Sequence, residues 1–176
     1  MRADGLAALS LRDLARRVGL QAPSLYSYFE SKNDIYDAMF AQGCREYVAE
    51  EALVSRSGDL LTDLKANMRF FVGSCTSDPA RYQLLFQRMI PGFEPSLGSF
   101  AISVESLSAM ATRLAAMGMS HPHDLDLLTA VGTGLADQQI SNDPGGDRWM
   151  RLVDEAMEML FDHVTTRKNK RRRTKP

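Results

Sequence analysis

Residues 19–40 read GLQAPSLYSYFESKNDIYDAMF and lie between two segments whose apolar residues have helical spacing. From Leu11 onward the apolar positions recur at i, i+3, i+4 and i+7, which predicts a helix. Gly19 tolerates the left-handed backbone with which many helices end, and Pro23 suits the first turn of the next helix. The stretch therefore predicts two short helices joined by a tight turn, which is the outline of a helix-turn-helix.

The second of these helices, predicted from about Ala22 to Phe29, has residue types suited to the major groove of DNA. Small or polar residues at its front let the backbone approach base edges, and these are Ala22, Pro23, Ser24 and Ser27. Leu25 and Phe29, at i and i+4, supply an apolar back face. On spacing alone, a helical hairpin whose aromatic residues pack in a core explains the pattern about equally well.

A third helix is predicted to begin at Ser31, because Ser31 and Asp34 have the spacing of a capping box. Tyr26 projects between the two faces of the second helix, where its hydroxyl can donate to a phosphate oxygen. Lys32 lies at the positive, amino-terminal end of the third helix, which also favours a phosphate.

Residues 11–32 fit the pattern L-x-x-[IL]-A-x-x-x-G-[VL]-x-x-x-[TS]-L-Y-x-[HY]-F-x-[SN]-K. This segment resembles the DNA-binding segment of the tetracycline-repressor (TetR) family of bacterial transcriptional regulators. The resemblance covers only the front of the chain. It implies that DNA is contacted by Arg12, Gln21, Ala22, Pro23, Ser24, Tyr26, Ser27, Tyr28 and Lys32.

Two of these positions differ from the residues that the family commonly has. Tyr28 stands where histidine is frequent, so its role is either a phosphate contact or packing. Gln21 stands where a serine or threonine usually caps the recognition helix. Glutamine caps poorly, but its side-chain amide can pair with adenine instead.

The family's domain is a three-helix bundle whose first helix covers the helix-turn-helix. Only nine residues precede Ser10, so we expect this first helix to be truncated. A true start further upstream, a truncated product and a loss of firm DNA binding are the three explanations that stay open.

The predicted class for the whole chain is all-α, because helical spacing continues after residue 40 and no alternating strand pattern is found. We predict a helix-turn-helix domain at 1–44, a helical bundle at 45–166 and a basic, disordered tail at 167–176. The tail holds seven Lys and Arg and no acidic residue, so it either attracts a polyanion or serves solubility. The resemblance implies that the bundle binds an effector and forms a homodimer.

Two regions of the bundle hold candidate functional residues. An apolar set suited to a small apolar effector comprises Phe71, Cys75, Tyr82, Phe86, Met89, Phe93 and Met110, although ordinary core packing uses the same residue types. The resemblance implies a dimer through the last two helices, with interface residues Val131, Gly134, Leu135, Trp149, Leu152, Val153, Met157 and Leu160. The alternative is a hairpin packed within a monomer.

No metal site, cofactor or catalytic set is predicted. Cys44 and Cys75 lie far apart without a CxxC motif, and HPHD at 121–124 suits a helix start better than a metal site. No nucleophile elbow or phosphate-binding glycine loop is found, so we do not expect an enzyme. No apolar run is long enough to span a membrane, and we expect a cytoplasmic protein without a membrane partner.

The sequence therefore predicts a ligand-responsive transcriptional regulator, a repressor that binds a palindromic double-stranded DNA operator as a homodimer. Two alternatives stay open. One is a helical protein that binds a small molecule without contacting DNA. The other is a dimerisation partner that sequesters a full-length regulator.

Overall fold

The structure, a computed structural model, describes residues 10–17, 19, 21–116 and 119–173, with the side chains of Ala22, Pro122 and 168–173 outside the description. The described residues are helical and contain no strand, which confirms the predicted all-α class. The helices are α1 (Leu11–Arg17), α2 (Ala22–Leu25), α3 (Lys32–Ala52), α4 (Leu60–Ser77), α5 (Pro79–Phe86), α6 (Leu97–Ala116), α7 (Pro122–Asn142) and α8 (Val153–Arg173), with a 3-10 helix (Met150–Leu152) before α8. None of these described helices is long and apolar enough to cross a membrane.

Two compact units contain these helices. The first comprises the chain up to Ala49 together with Asp78–Glu105, and the second comprises Glu50–Ser77 together with the chain from Ser106. The predicted boundary between residues 44 and 45 lies inside α3, so it follows neither a loop nor a break in this helix. The division into domains at that boundary stays a prediction.

In the first unit, α3 and α5 approach each other closely. Phe40 and Cys44 of α3 form a buried cluster with Leu84 of α5. A Cβ added at Gly43 would lie 3.0 Å from Leu85 Cδ2, so any larger residue there would press on α5. Glycine at position 43 therefore lets the two helices pack in direct contact.

In the second unit, α4 packs against both α7 and α8. The buried apolar residues of these three helices are Leu64, Met68, Val72, Cys75, Leu128, Ala136, Val153, Met157, Leu160 and Val164. Lys65 pairs with Glu158 and Arg69 with Asp154, so α4 and α8 run antiparallel. Both ion pairs are partly exposed and contribute little, so burial of the apolar residues is the main stabilising term.

The connection from α7 to α8 is organised by one buried glutamine. Gln139 Oε1 accepts hydrogen bonds from the backbone N–H groups of Trp149 and Met150, at 2.8 and 3.2 Å. Its Nε2 donates to the backbone carbonyl of Asp143. Because a buried amide must find partners, Gln139 fixes the 143–149 loop and the start of the last helix.

The segment HPHD forms a helix start, as predicted. His121 is the N-cap of α7, and its Nδ1 accepts from the backbone N–H of His123 at 3.3 Å. Asp124 completes the capping box by accepting from the backbone N–H of His121 at 3.0 Å. Arg167 Nη2 lies 2.5 Å from the fully buried carboxylate of Asp124, so this carboxylate is paired within the chain.

The end of α8 differs from the expectation of a disordered tail from residue 167. The helix continues through Arg173. No glycine or proline interrupts the chain between 147 and 173, and basic residues near a helix carboxyl end interact favourably with its dipole. The expected truncation of the family's first helix concerns residues 1–9, which lie outside the described residues.

Candidate nucleic-acid interface

The helix-turn-helix is formed by α1 and α2, which pack against each other. Each helix buries one described residue, Ala15 in α1 and Leu25 in α2. Leu14 and Phe29 are half-buried. The apolar back predicted for the recognition helix is therefore present, with Leu25 as its buried member.

The turn between the two helices depends on a glycine. Gly19 has φ +71°, a left-handed conformation, and its backbone N–H donates to the carbonyl of Arg16 at 3.3 Å. An added Cβ would meet no atom within 4 Å, so the backbone conformation and not space requires glycine here. The following Gln21 is extended and makes no side-chain cap, which leaves its exposed amide available to a partner.

The recognition helix is shorter than predicted. It ends at Leu25, not Phe29, and continues as a turn. In this turn the backbone N–H groups of Tyr26 and Tyr28 donate to the carbonyls three residues earlier, at 3.2 and 3.0 Å. The Ser27 hydroxyl donates to the carbonyl of Ser24 at 2.7 Å, a local bond that competes with a regular helix. The prediction of a helix over 22–29 is therefore wrong in extent.

Most predicted DNA-contacting side chains are exposed on this motif. Tyr26 is 57% exposed and Tyr28 is 74% exposed. The remaining exposed members are Arg12, Gln21, Pro23 and Ser27, whereas Ser24 and Lys32 are half-buried. The exposure of both tyrosines argues against the alternative in which they are core residues.

The start of α3 fixes the position of Lys32. Ser31 and Asp34 form the predicted capping box. The backbone N–H of Ser31 donates to Asp34 Oδ2 at 2.9 Å, and the backbone N–H of Asp34 donates to Ser31 Oγ at 3.2 Å. The Lys32 ammonium lies over the ring of Tyr36, with Nζ 5.5 Å from the ring centroid. Tyr36 was not among the predicted site residues, although its spacing from Lys32, i and i+4 on one helix, places the two on one face.

Residues 1–39 match the family model of bacterial regulatory proteins of the tetR family. The chain carries a TetR-family amino-terminal domain. The matched range includes α1, α2 and the first two turns of α3, so the resemblance predicted from residues 11–32 is confirmed. A TetR-family domain at this position supports the identification of the chain as a DNA-binding transcriptional regulator.

The fold of the chain is similar to that in the crystal structure of SCO4313, a protein assigned as regulatory. The TM-score is 0.70 at 20% sequence identity, over 88% of this chain and 85% of that chain. At this identity the likeness shows the fold alone. No curated protein matches the sequence.

The residues predicted to contact an effector lie in both compact units of the chain. Cys75 and Tyr82 are buried, Phe71, Phe93 and Met110 are half-buried, and Phe86 and Met89 are exposed. In the first unit the Phe86 ring lies 6.0 Å from that of Tyr82 and 5.4 Å from that of Tyr47. These three rings form one aromatic cluster, and contact with an effector stays a prediction.

The residues predicted for a dimer interface fall into two groups. Val153, Met157 and Leu160 are buried in the core of a single chain. The other group is half-buried or exposed and comprises Val131, Gly134, Leu135, Trp149 and Leu152. Only this second group offers surface to another copy of the chain.

The two cysteines are both buried thiols. Burial raises the pKa of Cys44 to about 11, against the opposing effect of the nearby Arg81 and Arg45. Its thiol is therefore protonated and unreactive at neutral pH. Within the described residues no group of three or more His, Cys, Asp or Glu could hold a metal ion.

Proposed function

We propose that this chain is a transcriptional repressor that binds a palindromic operator as a homodimer and responds to a small apolar effector in the cytoplasm. The observation that carries the proposal is the exposed row of Tyr26, Ser27 and Tyr28 beside a helix whose back, Leu25, is buried. Such an arrangement presents hydroxyl groups to a nucleic acid while the apolar side holds the motif together. The TetR-family match over the same residues supports this assignment.

The proposed contacts divide between phosphates and bases. Tyr26, Tyr28 and Lys32 supply two hydroxyl donors and an ammonium, groups that suit phosphate oxygens and set the register of the protein on the duplex. Gln21 is exposed and makes no cap, so its amide is the best candidate for reading a base edge. Arg12, exposed on α1, adds a positive charge beside the motif.

A homodimer is supported by apolar residues left exposed on the last two helices. Leu127 on α7, Leu152 in the 3-10 helix and Met159 on α8 are exposed, and Gly134 leaves open space beside α7. Two-fold pairing through these helices would bury such residues. A dimer also presents two recognition helices, which read successive major grooves when they lie about 34 Å apart.

The proposed response to an effector follows from linkage between two binding equilibria. A ligand that binds the DNA-free form more tightly lowers operator affinity by the same coupling free energy. The apolar character of Tyr82, Phe86 and Phe93 suits an apolar ligand. A thermal-shift screen on the full chain would identify candidates, because a ligand bound to the folded state raises its melting temperature.

Fluorescence anisotropy with duplexes from the region upstream of the protein's own gene tests the DNA contacts. Tyr26→Ala and Lys32→Gln should each weaken binding to the palindromic duplex about tenfold, since a lost phosphate contact removes a charge-assisted hydrogen bond. Lys32→Gln should also reduce the dependence on salt, by a slope of about one. Arg56→Gln removes an exposed charge from the second unit, away from the proposed interface residues in sequence, and should leave affinity unchanged.

Tyr26→Phe separates the hydroxyl from the ring and should behave like Tyr26→Ala if the hydroxyl binds phosphate. Equal and weak affinity for every duplex, unaffected by all of these substitutions, would overturn the proposal. That result would leave the basic segment after residue 166 as the source of the residual binding.

Analytical ultracentrifugation tests the homodimer. Leu152→Glu places a charge on the proposed interface and should shift the chain from dimer to monomer, with a matching loss of operator affinity. Leu97→Glu is the matched control, because Leu97 is 92% exposed on α6 and lies outside the proposed interface. A wild-type chain that sediments as a monomer, or a Leu152→Glu variant that remains dimeric, would contradict this part of the proposal.

A further inference from the structure

The loop between α5 and α6, residues 87–96, is attached to the first two turns of α3. Asn33 Nδ2 donates to the backbone carbonyl of Gly92 at 3.2 Å, between positions 59 apart in the sequence. The rings of Tyr36 and Phe93 lie 5.5 Å apart at an angle of 56°. The α5–α6 loop therefore contacts the helix that begins with Lys32, and all of these residues belong to the first compact unit.

A carboxylate fixes the end of this loop. Asp37 accepts from the backbone N–H and the hydroxyl of Ser96, at 2.7 and 2.9 Å, and from the hydroxyl of Ser99 at 2.8 Å. Burial opposes ionisation of Asp37, but these hydrogen bonds outweigh it and hold its pKa below the usual value. At neutral pH the charged carboxylate thus holds the start of α6 against α3.

Tyr36 connects this anchored loop to Lys32. The Tyr36 ring contacts the ring of Phe93 in a tilted arrangement, and the ammonium of Lys32 lies 5.5 Å from the centroid of the Tyr36 ring. Tyr36 is only 2% exposed, so close packing on all sides holds its ring in place. A lysine held over a fixed aromatic ring loses less freedom when it binds a phosphate than a lysine that is free to rotate.

We propose that Tyr36, supported by Phe93 of the α5–α6 loop, is a positioning residue for the contact between Lys32 and a DNA phosphate. This inference rests on the proposed function, in which Lys32 is a phosphate contact. It extends the DNA-binding apparatus to a loop far from the helix-turn-helix in sequence. The loop acts through the ring of Tyr36 and needs no contact with DNA.

A double-mutant cycle on the full chain tests this role, with operator affinity measured by anisotropy on the palindromic upstream duplex. The four proteins are the wild type, Tyr36→Leu, Lys32→Gln and the double variant. Tyr36→Leu should weaken binding about three- to fivefold when Lys32 is present, the range expected for a cation–π contact. In the Lys32→Gln background the same substitution should change affinity by less than about 1.5-fold, because no ammonium remains to be positioned.

Three further variants separate positioning from packing. Tyr36→Phe keeps an aromatic face under Lys32 and should stay within about twofold of the wild type. Phe93→Leu should weaken binding about twofold, and again only when Lys32 is present. Tyr47→Leu removes a buried tyrosine about three turns further along α3 and should show no dependence on Lys32.

Each outcome decides one of the two claims. If Lys32→Gln weakens binding but the effects of Lys32→Gln and Tyr36→Leu simply multiply, the positioning role is overturned and the DNA contact of Lys32 stands. If Lys32→Gln leaves affinity and its salt dependence unchanged, the contact itself is wrong and the positioning role falls with it. Equal coupling of Tyr47→Leu to Lys32 would also overturn the role, because general loosening of α3 would then explain the result.

Discussion

The recognition segment, residues 10–32, and the core formed by α4, α7 and α8 are stabilised in different ways. Among the described residues of the recognition segment only Ala15 and Leu25 are buried, and its hydrogen bonds join residues three or four positions apart. In the core, each helix contributes several buried residues, and ion pairs join α4 to α8. A surface that binds DNA must keep its side chains exposed, so it gains little from burial.

The two regions should therefore respond differently to substitution. A change in the core alters the free energy of unfolding of the chain, while a change in the recognition segment alters local order and operator affinity.

The largest effect is expected in the core. Met157 is fully buried, so Met157→Ala should lower the free energy of unfolding by about 2–5 kcal/mol through lost burial and a cavity. Urea denaturation followed by circular dichroism would measure it. Met89→Ala, at a side chain that is 57% exposed, is the matched control and should cost less than about 0.5 kcal/mol. Similar losses for both would mean that Met157 is not part of a well-packed core.

Two glycines of α7 give the next contrast. A Cβ at Gly132 would lie 2.9 Å from Met68 Sδ, whereas one at Gly134 would meet no atom within 4 Å. Gly132→Ala should therefore cost about 1–2 kcal/mol, because crowding outweighs the better helix propensity of alanine. Gly134→Ala should stabilise an isolated chain by up to about 1 kcal/mol. Denaturation at concentrations where the chain is monomeric measures both, and shifts of the same sign would contradict the assigned packing.

A cap in the recognition segment should have a smaller effect on stability. Ser31→Ala removes the acceptor of the Asp34 N–H and should cost about 1 kcal/mol. Operator affinity should fall together with this change, because the lost cap frees the turn that holds Lys32. Ser108→Ala, on an exposed face of α6, should change neither quantity. Lost stability with unchanged affinity would separate the cap from DNA binding.

The smallest effect is a dependence on pH at Asp37. Its pKa is lowered in the folded state, so its contribution to stability is complete above the unfolded value of about 4 and is lost as the pH falls through the folded value. The difference in unfolding free energy between the wild type and Asp37→Asn should be constant above about pH 5 and shrink below pH 4. Denaturation curves over this range measure it, and a difference that grows on acidification would contradict the assigned ionisation.

Much of the recognition segment could be predicted from the sequence because its structure depends on neighbouring residues. The turn at Gly19, the box of Ser31 and Asp34, and the buried Leu25 all follow from spacings of a few positions. The length of α2 could not be predicted, since Ser27 bonds to a local carbonyl in place of extending the helix. The positive charge of the segment after residue 166 does not set the end of α8, because no glycine or proline interrupts the helix before Arg173.

Contacts between residues that are far apart in the sequence could not be predicted from local spacing. Gln139 closes a loop that ends ten residues later, and Phe93 supports a tyrosine on α3. The apolar stripe on α8 includes Val153, Met157 and Leu160, and its spacing is the same whether it packs against its own chain or against a second copy. The sequence therefore could not show that these residues are buried within one chain.

Local patterns in the amino-acid sequence are enough to predict the all-α class, the helix-turn-helix and its TetR-family character, because short-range spacing sets helix starts, turns and the exposed face of a short helix. Packing between helices sets which apolar residues form the core and which remain exposed on α7 and α8. The same packing places Lys32 over Tyr36 and Tyr36 against Phe93. Contacts of this kind depend on how distant helices approach each other, and no local spacing encodes that approach.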